Sequence, residues 1–323
     1  MSDTMDLDAT IEKFKSGDRR ALARLITLVE NRAPEAPRVM RALYTRVGQA
    51  RVIGITGPPG AGKSTLVDRL LEIFRAAGKT VGVVAVDPSS PFSGGAILGD
   101  RVRMQQHFLD SGVFIRSLST RGRHGGLARP TREIVHLLDA FGFDMVLVET
   151  VGVGQTELDV MRLAQTTIVV LVPEAGDTIQ VMKAGLLEIA DVFVVNKADR
   201  EGARRLKNEL DTMLHMRPES SWMVPVLLTE ATNGRGLPDL VRHAEEHGAQ
   251  QSEPRASRSR REEWLEVIRE EIAARLARSL GARETELAAA VESGAKDPYT
   301  AALEILADPQ RVASLVAEGD EHS

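Results

Sequence analysis

A phosphate-binding loop is the clearest chemical signal in the sequence. Residues 57–64 have the sequence GPPGAGKS and fit the pattern G-x-x-x-x-G-K-[ST], in which backbone N–H groups surround an anion. An apolar strand candidate precedes this loop and an amphipathic helix candidate follows it, which is the order that phosphate binding requires. Lys63 is expected to reach the β- and γ-phosphates of a nucleotide, and the Ser64 hydroxyl to bind Mg²⁺. The predicted phosphate-site residues are Gly57, Gly60, Ala61, Gly62, Lys63, Ser64 and Thr65.

A second motif, Asn196-Lys197-Ala198-Asp199, directly follows a Val-rich strand candidate. The Asp199 carboxylate can accept from the ring N–H and the exocyclic amine of guanine, Asn196 can serve the acceptor edge of the base, and the Lys197 stem can lie against the ring. Adenine lacks that amine, and a site built to hydrogen-bond its substrate can reject an analogue that lacks the group by about 10⁴-fold. The motif therefore predicts guanine recognition, and the alternative is a turn with an Asx cap.

The third motif, residues 149–152, ends the apolar strand candidate 145–148. Glu149, where aspartate is more usual, can hold Mg²⁺ directly or through water, and the Gly152 N–H can contact a γ-phosphate and move when that phosphate leaves. Lys63, Glu149 and Gly152 are the predicted catalytic residues. Val153 follows the glycine and Gln155 comes two positions later, so no glutamine adjoins Gly152 to position water. We therefore expect slow intrinsic hydrolysis that a partner accelerates.

Two further carboxylates and two loops are weaker candidates. Asp87 ends the strand candidate 80–86 and Asp100 follows a glycine-rich loop, so both could approach Mg²⁺ beside Ser64, although each could equally cap a helix. The segment 119–126 carries cations that could stabilise phosphate, or it is a surface loop. The segment 229–234 could close over the base with backbone N–H groups.

The composition narrows the class of protein. The chain has 323 residues, 43% of them hydrophobic, which suffices for a large domain with extensions. Its net charge of −5 gives no sign of nucleic acid binding, and no apolar run approaches the ~18 residues of a membrane span. The absence of cysteine excludes disulfides and thiolate metal sites and fits a reducing compartment. The acidic N-terminus resembles neither a signal nor a transit peptide, so we expect a soluble cytoplasmic protein.

The pattern of elements predicts an α/β fold with a mostly parallel, doubly wound sheet. Helical residues 1–50 come first, with Asp18 as a cap and with Pro34 and Pro37 as helix breakers. The P-loop domain is expected over 51–248, a linker over 249–261 and a helical dimerisation arm over 262–323. Several strands are near-continuous Val/Ile/Leu runs, as in sheets covered on both faces. The strand candidates are 51–56, 80–86, 113–117, 145–149, 167–172, 191–195 and 223–228.

Together these motifs resemble one family. The runs GPPGAGKST, VDPSSPFSGGAILGDRVRM, ETVGVGQTE and NKAD are similar to those of the MeaB/ArgK group, the G-protein metallochaperones of methylmalonyl-CoA mutase. The close resemblance covers roughly residues 50–240, and the helical extensions on either side are similar in kind. The long run from Val86 to Arg101 is its most distinctive part.

The resemblance implies a homodimeric GTPase of the SIMIBI class, partly held together by its C-terminal arm. It implies binding to an adenosylcobalamin-dependent methylmalonyl-CoA mutase, with GTP use gating cofactor loading and protecting the mutase from inactivation. It places Ser64, Asp87, Asp100 and Glu149 around Mg²⁺, with GTP or GDP bound beside them. It also matches segment 174–183 to a switch that senses the partner, whose polar members are Asp177, Gln180 and Lys183.

Two other functions compete with this interpretation. P-loop domains also include small-molecule kinases, here one for a basic amino acid, but most such kinases use ATP and the predicted guanine motif opposes that. A metal-delivery GTPase such as a nickel insertase usually carries Cys/His ligands. This chain has no cysteine, and its seven histidines show no tight ligand spacing.

Overall fold

The protein divides into two compact units, residues 1–250 and 251–323. The computed structural model describes residues 6–87, 107, 109–119, 128–150, 152, 161–173, 185–217 and 221–250 of the first unit. In the second unit it describes residues 261, 263–269, 271–273, 275–276, 285–307, 309–310 and 312–313. Structural statements below refer to these residues.

A seven-stranded, all-parallel sheet is the centre of the first unit, with the order β3-β2-β4-β1-β5-β6-β7. This confirms the predicted fold class, and all seven predicted strands form. The last strand begins three residues later than expected, because Pro225 has no N–H to donate to the ladder. The strands are β1 (Arg51–Thr56), β2 (Val81–Asp87), β3 (Val113–Ser119), β4 (Met145–Thr150), β5 (Thr166–Leu171), β6 (Val192–Val195) and β7 (Val226–Leu228).

Eight described helices accompany this sheet within residues 6–250. They are α1 (Leu7–Lys15), α2 (Arg19–Glu30), α3 (Ala36–Leu43), α4 (Lys63–Ala76), α5 (Ala128–Phe141), α6 (Leu186–Ile189), α7 (Ala203–His215) and α8 (Leu237–Gln250). The Asp18 cap is confirmed, since its carboxylate accepts from the N–H groups of Arg20 and Ala21 at 2.7 and 3.2 Å. The predicted break in the helix is confirmed, since α2 ends at Glu30 and α3 begins at Ala36. Pro37 lies in the first turn of α3, where no intrahelical N–H is needed.

Apolar layers cover both faces of the sheet. One layer joins the N-terminal helices to α5 and to inward residues of β1, β2 and β4, and it includes the fully buried Leu22, Leu25 and Ile26. The other layer packs α4 and α8 against the opposite face through residues such as Leu66 and Leu240. The N-terminal helices therefore pack on one face of the sheet. Asp139 of α5 adds a polar tether by accepting from three backbone N–H groups, those of Gly48, Gln49 and Ala50, at 2.6–3.0 Å.

The described part of the second unit is helical. Residues 263–269 and 271–273 are helical, followed by α9 (Thr285–Glu292) and α10 (Pro298–Leu306). Asp297 caps α10 by accepting from Thr300 N–H at 2.9 Å, and Pro298 occupies the first turn. Among the described residues, every helix is too short or too polar to traverse a lipid bilayer.

Candidate nucleotide site

The carboxyl ends of the parallel strands bring the predicted motifs to one edge of the sheet. The phosphate-binding loop follows β1, residues 149–152 end β4, and the Asn196–Asp199 motif follows β6. Strand β1 lies between β4 and β5, so the chain reverses its direction of winding at the phosphate-binding loop. Such a switch point, beyond the carboxyl ends of the strands, is where open α/β sheets bind ligands.

Glycines allow the phosphate-binding loop its close approach to the sheet. Gly57 has φ +146°, and a Cβ atom there would lie 2.0 Å from the Val170 carbonyl oxygen. Gly62, at φ +88°, precedes α4, and a Cβ atom there would lie 2.5 Å from Asn196 Nδ2. Both positions therefore require glycine for their backbone conformation and for space. The first turn of α4 then presents its N–H groups at the loop, as anion binding needs.

Lys63 is held at this loop by carbonyl oxygens. Its ammonium donates to Gly57 O at 2.8 Å and to Pro58 O at 2.9 Å, and the residue is buried. The cation is thus kept inside the loop by short hydrogen bonds to its backbone. A phosphate oxygen entering the loop would meet an ammonium that is already positioned.

Ser64 and Glu149 form a direct contact between α4 and β4. The Ser64 hydroxyl donates to Glu149 Oε1 at 2.7 Å, and Glu149 is only 4% exposed. A hydroxyl oxygen and a carboxylate side by side are the hard oxygen ligands that suit Mg²⁺. The residues present therefore fit the predicted ion, with Ser64 at the start of α4 and Glu149 near the carboxyl end of β4.

Two threonines hold the carbonyl group of Gly152. Thr56, the last residue of β1, donates its hydroxyl to Gly152 O at 3.0 Å, and the Thr150 hydroxyl donates to Thr56 Oγ1 at 2.9 Å. Both threonines are fully buried. No sequence motif indicates the role of these two hydroxyl groups. The network joins Gly152 to the strand that leads into the phosphate loop, so a movement of Gly152 must disturb that strand end.

Asn196 links the phosphate loop to the loop after β7. Its Nδ2 donates to Ala61 O at 2.9 Å, while its Oδ1 accepts from the Thr229 hydroxyl and from Ala231 N–H, both at 3.1 Å. The side chain is 3% exposed. Asn196 was expected at the acceptor edge of the base, and the structure gives it a structural role that the sequence did not indicate.

Asp199 and Lys197 lie at the surface of the same turn. Asp199 is exposed, and Lys197 has φ +55°, one of two non-glycine residues with positive φ among those described. Beside them, Glu230 bonds to Arg235 and to Asn233 at 2.7 and 3.1 Å and so closes the loop after β7. Gly236 completes this loop, because a Cβ atom there would lie 2.2 Å from Leu228 O.

Other predicted residues lie partly or wholly outside the described part. Asp87 ends β2, one residue beyond Val86, which pairs with Thr150 of β4, so its backbone adjoins the Glu149 strand end. Its side chain lies outside the described residues. Outside them too are Asp100, Val153, Gln155, the loop 120–126 and the switch residues Asp177, Gln180 and Lys183.

Comparisons with known proteins give a consistent result. The profile of the family described as methylmalonyl Co-A mutase-associated GTPase MeaB matches residues 22–284. A protein of Pyrococcus horikoshii that is named as a GTPase is 47% identical over 304 residues, which cover 92% of this chain and 96% of the relative. GTPase ArgK of Escherichia coli is 37% identical over 247 residues, or 74% of each chain.

A mouse protein and a solved structure add to this set. The mouse methylmalonic aciduria type A homolog, a mitochondrial protein, is 35% identical over 243 residues, which cover 69% of this chain and 59% of the mouse protein. The crystal structure of an LAO/AO transport system kinase matches with a TM-score of 0.60 at 26% identity, covering 94% of this chain and 98% of that one.

Proposed function

This chain belongs to the MeaB family of GTPases, and from that premise we propose that its GTP hydrolysis serves an adenosylcobalamin-dependent methylmalonyl-CoA mutase. In this role the protein gates loading of the cobalamin cofactor and protects the mutase from inactivation. The family description names association with that mutase, and the mouse relative is named for methylmalonic aciduria. The chaperone role rests on these relatives, whereas the nucleotide chemistry rests on the site itself.

The observation that carries the nucleotide chemistry is the position of Asn196. Because its amide bonds to Ala61 of the phosphate loop and to Thr229 and Ala231 beyond β7, the phosphate and base subsites form one connected unit. Asp199, on the exposed side of the same turn, supplies the carboxylate that selects guanine over adenine.

Catalysis is assigned to residues at the phosphate end. Lys63 neutralises charge that develops on the β- and γ-phosphate oxygens, and the N–H of Gly152 contacts the γ-phosphate. Ser64 and Glu149, with Asp87 and Asp100, would hold Mg²⁺, which supplies charge neutralisation on the phosphates when bound. Loss of the γ-phosphate releases Gly152, and the Thr56 and Thr150 hydroxyl groups pass this change to the end of β1. Intrinsic turnover is slow, because Val153 rather than glutamine follows Gly152.

The partner is sensed by the segment that carries Asp177, Gln180 and Lys183. The chain works in the cytoplasm as a homodimer, joined in part by its C-terminal helices, without nucleic acid or membrane partners. The exposed apolar side chains of α10, those of Tyr299, Leu303 and Leu306, support the dimer.

The test is steady-state hydrolysis of GTP and of ATP by the full chain, with and without the mutase. GTP should be the preferred substrate, and the mutase should accelerate its turnover. Asp177→Ala and Lys183→Ala should lose the acceleration and keep basal turnover. Lys207→Ala, which removes a surface lysine paired with Asp211 on α7, is the matched control and should behave as wild type.

Two results would contradict the proposal. Equal use of ATP would remove the guanine assignment, and an unchanged rate with the mutase would remove the partner. The resemblance to an LAO/AO transport system kinase gives the alternative a defined assay. Transfer of the γ-phosphate to arginine or ornithine would favour a kinase, and release of inorganic phosphate alone would exclude it.

A further inference from the structure

Three potential metal ligands meet beside α4, C-terminal to its first turn at the phosphate-binding loop. Asp68 and Glu72 lie one helical turn apart, and His107 comes from the segment before β3. One carboxylate oxygen of each acid and one ring nitrogen of His107 lie within 4.8 Å of one another. Of the residues that the structure describes, no other trio meets this condition. The spacing of the histidines along the sequence gives no sign of a metal site, and the fold supplies the missing proximity.

The three side chains are already close to a coordinating arrangement. His107 Nε2 lies 3.0 Å from Asp68 Oδ1, and the side chains of His107 and Asp68 are 11% and 17% exposed. Ligand atoms bound at about 2.0–2.1 Å in a tetrahedral zinc site lie about 3.3 Å apart. A small increase in the distance between these two atoms would therefore make room for an ion. The side chain of Glu72 is 36% exposed, so its carboxylate can rotate toward an ion held by the other two ligands.

The charges around the cluster favour a cation. Arg75 binds both oxygens of Asp110 at 2.7 and 2.8 Å, so these two charges neutralise each other. Arg69 contacts Glu72 through Oε2 at 2.7 Å, and a carboxylate can hold an arginine with one oxygen and an ion with the other. The carboxylates of Asp68 and Glu72 supply negative charge beside the imidazole of His107.

We propose that Asp68, Glu72 and His107 bind a divalent d-block cation, best matched by Zn²⁺, at a site separate from the nucleotide's Mg²⁺. An imidazole nitrogen suits zinc and its neighbours in the periodic table, whereas Mg²⁺ prefers oxygen ligands and an octahedral shell. Three protein ligands with a fourth position for water form a common zinc arrangement. Asp68 lies about 7–8 Å along α4 from Lys63, so the ion would join the helix that follows the phosphate-binding loop to His107.

The test is calorimetric titration of the untagged, metal-free and nucleotide-free full chain with ZnCl₂ in excess Mg²⁺. One equivalent of Zn²⁺ should bind. His107→Ala and Glu72→Gln should each weaken binding at this site by at least about tenfold, the lower bound seen when outer-shell partners of a metal are removed. The matched control is His243→Ala on α8, where a histidine ring lies 3.4 Å from Glu246 and no third ligand joins them among the residues that the structure describes. Its affinity should equal that of the wild type.

The outcomes separate a built site from adventitious binding. Unchanged affinity in Glu72→Gln, or equal weakening in His243→Ala, would overturn the proposal. Displacement of Zn²⁺ by Mg²⁺ would overturn the assignment to a d-block ion. If His107→Ala does not fold by circular dichroism, Glu72→Gln decides, since this half-exposed substitution keeps the shape of the side chain. Nucleotide turnover plays no part in the assay, so failure here leaves the proposed GTPase function untouched.

Discussion

Asn196 shapes the proposed nucleotide site mainly through hydrogen bonds to other parts of the protein. Its oxygen accepts two hydrogen bonds from the loop after β7, and one hydrogen of Nδ2 is donated to Ala61 O. An amide nitrogen carries two hydrogens, so the second is what remains for the acceptor edge of a base. The residue therefore combines one potential base contact with three contacts inside the protein. In the proposed function, base recognition falls mainly to Asp199, which is exposed on the same turn.

Asp199→Asn should weaken binding of GDP by about 10²-fold or more, because two hydrogen bonds to a charged carboxylate are lost. The same variant should bind xanthosine diphosphate better than the wild type does, since xanthine has a carbonyl where guanine has its amine and the new amide can donate to it. Calorimetry with both nucleotides measures the exchange of preference.

The control for this exchange is Asp239→Asn, which neutralises an exposed carboxylate in the first turn of α8. It should leave both affinities unchanged. Weakening of the two nucleotides to the same extent by Asp199→Asn would mean that Asp199 supports the fold of the turn and does not read the base.

At the residue scale, the sequence predicts the groups that motifs fix and misses those that strand register brings together. Lys63 and Ser64 could be placed because their positions follow from the loop and the helix start. Thr56 and Thr150 could not, because threonine is common in strands for its backbone fit alone. They meet because Ile55 pairs with Glu149, which sets the next residues opposite each other.

At the scale of elements, the passage from β1 to α4 depends on Gly57. Gly57→Ala should destabilise the nucleotide-free protein by more than 2 kcal/mol, about the upper range of a left-handed residue alone, because the new Cβ would also meet Val170 O at 2.0 Å. Urea unfolding followed by circular dichroism measures this loss.

Gly78→Ala separates conformational strain from collision. Gly78 follows α4 at φ +76°, and a Cβ atom there would have no neighbour within 4 Å. Gly78→Ala should lower the free energy of unfolding by about 1–2 kcal/mol, the cost of a left-handed backbone conformation for an L-residue. Equal losses in the two variants would show that the loop moves away from β5 without cost.

The amino ends of β2 and β4 are joined by a pH-dependent contact. Asp144 accepts from Thr80 N–H at 2.7 Å and from its hydroxyl at 2.8 Å, and the backbone hydrogen bond holds the pKa of Asp144 below its usual value. A carboxyl with a lowered folded-state pKa stabilises the protein above the unfolded pKa of about 3.9 and loses this contribution as the pH falls through the folded value.

Asp144→Asn should therefore cost stability at pH 7 and progressively less in acid. We expect a loss below about 1 kcal/mol at neutral pH, since the carboxyl is exposed and solvent screens it. Thermal unfolding of both proteins between neutral pH and about pH 3 should show the two melting temperatures converging below about pH 4. A difference that is constant or that grows in acid would contradict the assignment.

The elements themselves could largely be predicted, because buried parallel strands are continuous apolar runs of the kind found in β5 and β6. Their order in the sheet was not predicted. It depends on crossover connections, whose lengths do not reveal whether β4 or β2 lies beside β1. The predicted break lies between α2 and α3, and Pro37 belongs to the first turn of α3, because proline suits the start of a helix as well as the end of one.

At the scale of the whole molecule, the second unit presents an apolar face without a described cover. Tyr299, Leu303 and Leu306 of α10 are 82%, 66% and 58% exposed. Their spacing of four and three residues puts them on one side of the helix. Trp264 is also 60% exposed in the same unit. Apolar groups aligned in this way mark interaction surfaces more often than scattered ones do, and the proposed homodimer would bury them.

Leu303→Glu should convert the dimer to a monomer, because a carboxylate at the centre of this face would be desolvated without a partner. Sedimentation velocity of the full chain should show the dimer for wild type and for Ser293→Glu, which adds the same charge at an exposed turn after α9. Substitution of an exposed leucine should change monomer stability by less than about 0.5 kcal/mol, so a loss of association would not reflect unfolding.

Basal GTP turnover should persist in the monomer, since the residues of the proposed nucleotide site all belong to the unit 1–250. A wild-type chain that sediments as a monomer would contradict the dimer, and a dimer of Leu303→Glu would place the interface elsewhere.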